Sequence, residues 1–164
     1  ILQKMRGHRL EKIVVATGVG KLRARPQFDE NLLPEIIKEL ALITGQKPMT
    51  AKAKKSVAGF KVREGDIAGL KVTLRGQRMK DFLVRLIGFV LPRIRDFRGI
   101  DPKSIDASGN LTIPIREHIV FPEINPDEVK VDFGLEVTLV ATTKSREEGL
   151  NFYKELGIPL KRDG

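Results

Sequence analysis

The stretch GLKVTLR at residues 69–75 alternates without interruption, sending Leu70, Val72 and Leu74 to one side of a strand and Lys71, Thr73 and Arg75 to the other. One side is apolar and the other entirely polar. Residues 111–115 alternate in the same way, and residues 129–143 do so at length, with Leu135, Val137, Leu139 and Ala141 on one side. Strands with one apolar and one polar face favour a largely antiparallel sheet, covered by helices on one side only. Pro114 within 111–115 argues for an edge or a bulge there.

The rest of the chain supplies the covering layer. KIVVATGV at 12–19 is a β-branched run closed by Gly18 and Gly20, which reads as a buried first strand. Leu33, Ile36, Ile37, Leu40, Ala41 and Ile43 recur at helical spacing, with Pro34 suited to the first turn and Gly45 to the left-handed residue past the end. A second helix is expected over 77–90, its stripe formed by Met79, Phe82, Leu83, Leu86, Ile87 and Val90, with Pro92 just beyond. Ser145 and Glu148 have the spacing of a capping box, and Leu150, Tyr153 and Leu156 continue on one face until Gly157 and Pro159 stop the third helix. Residues 93–110 show no steady period and read as a long irregular excursion, of the kind that usually serves a function. The expected fold is therefore α+β, one domain over 1–164, with helices packed on one sheet face and long basic loops at about 54–66 and 93–110. A chain of 164 residues, 41% hydrophobic, can bury roughly 70% of its unfolded surface without a staple.

Charge is distributed unevenly. The chain carries 30 Lys and Arg against 21 Asp and Glu, a net +9. Residues 47–80 hold ten bases (Lys47, Lys52, Lys54, Lys55, Lys61, Arg63, Lys71, Arg75, Arg78, Lys80) and two acids (Glu64, Asp66), so nearly all of the excess belongs to one stretch. A solvated basic hairpin is the plain reading of such a run. Against it, Lys71, Thr73 and Arg75 offer ammonium, hydroxyl and guanidinium donors at alternate positions of one strand, an array that suits a sugar-phosphate backbone. The uncovered side must meet water or RNA. KKSVAGFK at 54–61 forms a pliable tip in which Phe60 either stacks on a base or folds back onto the core. Aromatic residues make up only 5% of the chain, so backbone and shape contacts to structured RNA are expected over a surface built on base stacking.

Other function classes find little support. There is no Cys, which removes disulfides, thiolate metal sites and a cysteine nucleophile and is compatible with a reducing cytosol. His8 and His118 are the only imidazoles, and nothing places Glu117 and Glu123 across a cleft, so no catalytic residue, metal site or cofactor is expected. TGVGK at 17–21 fails as a phosphate loop, because Val15 stands where the first Gly is needed and Leu22 replaces the magnesium-binding Ser or Thr. An anionic membrane surface would also suit the charge, but no window approaches the about 20 apolar residues of a spanning helix and no signal-peptide pattern opens the chain, so a soluble protein is expected. The first residue is Ile, which leads us to expect a short preceding segment.

Five blocks carry a family resemblance. TGQKPMTAKAKKSVAGFKVREGD (44–66), GLKVTLRGQRM (69–79), PRIRDFRGID (92–101), REHIVFPEI (116–124) and TTKSREEG (142–149) closely resemble the 5S-RNA-binding family of large-subunit ribosomal protein five, in its bacterial or organellar form. The likeness runs in order from Arg9 to about Pro159. It implies a non-enzymatic protein that anchors 5S rRNA in the central protuberance, with an antiparallel sheet covered by helices on one side. It also implies RNA-facing roles for Gln46, Thr73 and Arg75, to which the basic stretch adds Lys47, Lys52 and Lys71. Lys54, Lys55, Ser56, Val57, Ala58, Gly59, Phe60 and Lys61 look like the family's loop toward the elbow of P-site tRNA. The 93–110 segment, with Arg93, Arg95 and Arg98, looks like the part that reaches a protein of the small-subunit head. Large-subunit rRNA and neighbouring ribosomal proteins are further implied partners, on ribosomes of the cytoplasm or of an organelle's matrix or stroma. Ala16 stands where many members have Asn, which removes one hydrogen bond of the family pattern. The competing readings are an RNA chaperone or regulator acting off the ribosome, and a phosphate-handling enzyme built around Gly18 and Lys21.

Overall fold

The computed structural model describes residues 7–56 and 62–162. Along them run β1 (Leu10–Gly18), α1 (Leu33–Thr44), β2 (Met49–Lys52), β3 (Ile67–Leu74), α2 (Gly76–Arg85), β4 (Leu111–Ile115), β5 (Leu135–Ala141) and α3 (Arg146–Leu156), with short 3-10 turns between several of them. The strands make a five-stranded sheet in the order β2-β3-β1-β5-β4, so the α+β class with an antiparallel sheet read from the alternation is the one observed. Two compact units are discernible within the described residues, one drawing on 7–14, 73–114 and 136–162, the other on 15–56, 62–72 and 115–135.

In the second unit, α1 begins with Pro34 in its first turn and ends at Gly45, whose φ of 73° lets its N–H return to the Ala41 carbonyl at 2.8 Å. Leu33, Ile36, Leu40 and Ile43 form its buried stripe. β2, which has no alternating signature and is exposed along all four residues, pairs antiparallel with β3, Met49 opposite Lys71 and Ala51 opposite Gly69. Gly69 sits in a tight place, since a Cβ there would lie 3.2 Å from the Thr17 carbonyl oxygen. Val131 and Phe133 are buried as the alternation suggests, yet the strand expected over 129–143 begins only at Leu135. The Phe133 carbonyl accepts from the His118 N–H at 3.1 Å, and the Gly134 carbonyl accepts from the Thr17 hydroxyl at 2.6 Å. Backbone groups engaged in this way are not available for a regular ladder.

In the first unit, Met79, Phe82, Leu83, Leu86 and Val90 are buried as expected, with Ile87 half-buried, but the α-helical geometry stops at Arg85. Leu86–Val90 widens into a π turn and Leu91–Arg93 tightens into a 3-10 turn. Pro92 explains the change: it has no N–H to give, and its ring obstructs the carbonyl four residues back. α3 starts as a cap, with Ser145 Oγ accepting from the Glu148 N–H at 3.2 Å, while the Glu148 carboxylate accepts from the Lys144 N–H at 2.7 Å, one residue earlier than in a standard capping box. Gly157, at φ 94°, closes it. The fully buried Tyr153 donates or shares its hydroxyl proton between the Gly109 carbonyl at 2.7 Å and the Leu139 carbonyl at 3.0 Å, tying the helix to the 93–110 segment and to β5. That segment is irregular, as its composition suggests, but it is not loose: Ile105 bridges Leu111, and Asp106 Oδ1 accepts from the N–H groups of Ser108 and Asn110, both at 2.9 Å. Pro114 is exposed on β4, at the sheet edge where a missing N–H costs least.

Candidate nucleic-acid interface

β3 separates its two sides as alternation requires. Leu70, Val72 and Leu74 are buried, Lys71 is exposed and Thr73 half-buried. Arg75 lies past the last strand residue, but its backbone is still extended (φ −135°, ψ 163°), so the alternation carries through and its exposed side chain continues the row.

The second unit surrounds Lys71 with further groups. Lys47 and Lys52 are exposed before and at the end of β2, and Gln46 follows the Gly45 cap with its carbonyl accepting from the Thr44 hydroxyl at 3.1 Å. Met49 sits directly opposite Lys71 and therefore on the same side of the sheet, 68% exposed. Sequence reasoning missed Met49, because β2 has no periodicity from which to read a face. An apolar side chain beside an ammonium group, both open to solvent, can lie against a ribose or base while the charge meets phosphate.

In the first unit the strand positions facing away from the buried apolar side are largely polar. Thr73 on β3, Thr138 on β5 and Thr112 on β4 are half-buried, and the Thr112 and Thr138 hydroxyls lie 3.3 Å apart across their strands. On β1, which runs on from the first unit into the second at Val15, Ile13, Val15 and Thr17 are buried, while Lys12, Val14 and Ala16 occupy the other side. Ala16 contributes no hydrogen-bonding group there.

The stem of the 54–61 loop is held firmly. Ala53 N–H donates to the Asp66 carbonyl at 2.7 Å, Gly65 N–H to the Ala53 carbonyl at 2.9 Å, and Ser56 Oγ accepts from the Glu64 N–H at 3.1 Å. Arg23, its side chain only 8% exposed, donates to the Ile67 carbonyl at 3.0 Å and to Asp29 at 3.1 Å, approaches Asp66 at 3.5 Å and stacks over Phe28. Lys54, Lys55 and Ser56 are exposed. Residues 57–61, and with them the two readings of Phe60, lie outside the described residues.

Arg93, Arg95 and Arg98 are exposed, while Ile94 and Phe97 between them are half-buried and anchor the segment. The chain turns at Asp96, whose φ of 56° is a conformation that Asp tolerates through local hydrogen bonding. His118 takes part in no surface site. Its Nδ1 accepts from the Phe133 N–H at 3.4 Å, which fixes the proton on Nε2, and Nε2 donates to Glu39 Oε2 at 2.9 Å. This buried pair braces α1 against the 115–135 segment, and the stacking of His118 on Phe133 holds that segment together within itself. No group of three or more His, Asp or Glu suited to a metal ion occurs among the described residues, nor is any helix there long and apolar enough to cross a membrane.

These features define a class: an α+β protein with a five-stranded sheet in which β3 turns its cationic and hydroxyl side chains away from its buried apolar ones. Residues 3–63 match the family model described as Ribosomal protein L5, and residues 67–160 match the model for the C-terminus of the same ribosomal family. Large ribosomal subunit protein uL5 of Halothermothrix orenii is 50% identical over 154 residues, covering 94% of this chain and 84% of that protein. The uL5 proteins of Oenococcus oeni and Lacticaseibacillus casei are 49% and 48% identical, each covering 96% of this chain and 86% of the relative. The chain belongs to the L5 family of large-subunit ribosomal proteins, a structural and non-enzymatic component of the translation machinery.

Proposed function

We propose that the open sheet side binds 5S rRNA, so that the chain, acting as one RNA-binding domain, anchors that RNA in the central protuberance of the large subunit. The row Lys71, Thr73 and Arg75 carries this reading: two exposed cations flank a hydroxyl on consecutive outward positions, opposite the buried Leu70, Val72 and Leu74. Gln46, Lys47, Lys52 and Met49 extend the contact beside Lys71, with cations on phosphates and Met49 against a sugar or base. The 54–61 loop reaches P-site tRNA, and Arg93, Arg95 and Arg98 face a protein of the small-subunit head. Contacts with large-subunit rRNA complete the setting, on a cytoplasmic ribosome or on that of an organelle.

The test is binding of the purified chain to a 5S transcript at fixed salt. Arg75→Ala should weaken it by about 1–3 kcal/mol, the loss of a charged donor, with an unchanged melting temperature. Equal affinity refutes the assignment. Removal of residues 57–60 should leave 5S affinity intact and impair tRNA engagement on assembled ribosomes, and a large 5S defect overturns that division of labour.

A further inference from the structure

A second cationic surface lies in the first unit, on α3 and the residues that follow it. After Gly157 the backbone returns beside residues 99–101: Ile100 N–H donates to the Pro159 carbonyl and Lys161 N–H to the Ile100 carbonyl, both at 2.8 Å. Gly99 permits this approach, since a Cβ there would lie 2.7 Å from the Lys161 nitrogen. The segment after α3 is thereby fixed as one wall of a cavity of about 470 Å³. Leu150 and Lys154 of α3 and Pro102 line the same cavity. Pro102 and Leu150 also line an adjoining hollow of about 290 Å³ that ends at Ile105, Arg146 and Glu147. The 3-10 turn at Pro102 is itself secured by Asp101 Oδ1, which accepts from the Lys103 N–H at 2.9 Å, and by Arg146, which donates to the Pro102 carbonyl at 3.3 Å.

The aliphatic lining is made of Leu150, Ile158, Leu160 and Pro102, and among the described residues lining the larger cavity the charged ones are Lys154, Lys161 and Arg162, with no acid. Its size falls within the about 300–1,000 Å³ typical of ligand cavities. None of these residues belongs to the 47–80 stretch or to the polar sheet row. We propose that this groove docks an acidic segment of a partner protein that presents one bulky apolar side chain, the apolar group on the floor and its flanking carboxylates on the rim. The chemistry of the lining separates this occupant from RNA. Among the described residues it has no hydroxyl or amide side chain to read a base and no aromatic ring to stack on one, so a nucleotide would satisfy the rim and leave the floor unmatched. Charge complementarity and aliphatic burial together suit an acidic peptide.

The experiment places a photoreactive phenylalanine analogue at the exposed Lys154 of the full chain and irradiates large subunits from bacterial cells in which this chain replaces the resident family member. The expected adduct is a protein segment in which Asp or Glu flank a bulky apolar residue, identified by peptide sequencing, and Lys161→Glu should lower its yield about tenfold, as when one close charge pair becomes repulsive. An adduct to rRNA, an adduct to a basic or neutral segment, no adduct, or a yield indifferent to Lys161→Glu each overturns the proposal. Lysine acylation of the unaltered chain supplies a reading free of any variant: Lys154 and Lys161 should react in the free protein and be protected in subunits, and equal reactivity in the two states counts against docking.

Discussion

Replacing Gly149 by alanine sets two effects of known sign against each other. At an unobstructed helical site the change stabilises by about 1 kcal/mol, because alanine loses less conformational freedom. In α3, however, the new Cβ would lie 2.7 Å from Gly109 Cα and 2.9 Å from its carbonyl oxygen. Gly109 has nowhere to go. It sits at φ 88°, the space where its own Cβ would be is taken by the Thr143 hydroxyl and the Ser145 carbonyl, and its carbonyl receives the Tyr153 hydroxyl at 2.7 Å. No flexible side chain can yield, so α3 itself must lift, at the upper end of the about 1–3 kcal/mol that overpacking costs. Less the helical gain, the net loss is about 2 kcal/mol, which for a chain of this length lowers the melting temperature by about 4–8 °C. Circular dichroism melts of the purified protein read this directly, with Gly88→Ala as comparison, since a Cβ at Gly88 meets nothing within 4 Å and should raise the melting temperature. A Gly149→Ala protein that melts at or above the parent refutes the close approach of α3 to Gly109.

Tyr153 is the chain's single tyrosine and there is no tryptophan, so phenolate absorbance reports on it alone. Burial pushes its ionisation well above the ordinary range near 10, and the stability this confers is complete below the unfolded value, about pH 10, and is lost as pH rises beyond it. Tyr153→Phe should remove that alkaline dependence and cost about 1–2 kcal/mol at neutral pH, and an absorbance titration with its midpoint at the unfolded value contradicts the buried hydroxyl. Lys71→Ala should reduce the slope of log affinity for 5S rRNA against log salt by about one unit, whereas a constant slope places Lys71 away from phosphate. Glu39→Gln should be nearly neutral, because the amide oxygen still accepts from His118 Nε2, while Glu39→Leu should cost about 1–3 kcal/mol by leaving that buried donor unpaired; urea denaturation giving equal losses would dismiss the hydrogen bond as the cause.

What the sequence discloses is what short-range periodicity encodes. The alternation at β3 gave both the buried side and the cationic row, and Pro34 and Gly45 bracketed α1, because strand pleat and helix ends impose their requirements on neighbouring residues. Features that depend on a distant partner escaped. Residues 129–134 alternate like a strand, but their backbone is taken up by His118 and Thr17, between 15 and 117 residues away. β2 exists because β3 pairs with it, and its four exposed residues carry no period, so Met49 stayed hidden. Likewise the basic groove depends on the Ile100–Leu160 bridge, which joins segments 60 residues apart that share no local pattern.

The two outermost strands are both flawed as templates. β2 follows Pro48 and loses its regular pairing between Ala51 and Lys52, and β4 carries Pro114 at its exposed position. A ribosomal protein is synthesised before its RNA is at hand, and a sheet with clean borders would invite a neighbouring copy to add strand upon strand. An unpaired proline on one margin, and a kink followed by an ammonium group on the other, make such polymerisation unfavourable. Both borders of the sheet thereby disfavour strand addition by a second copy.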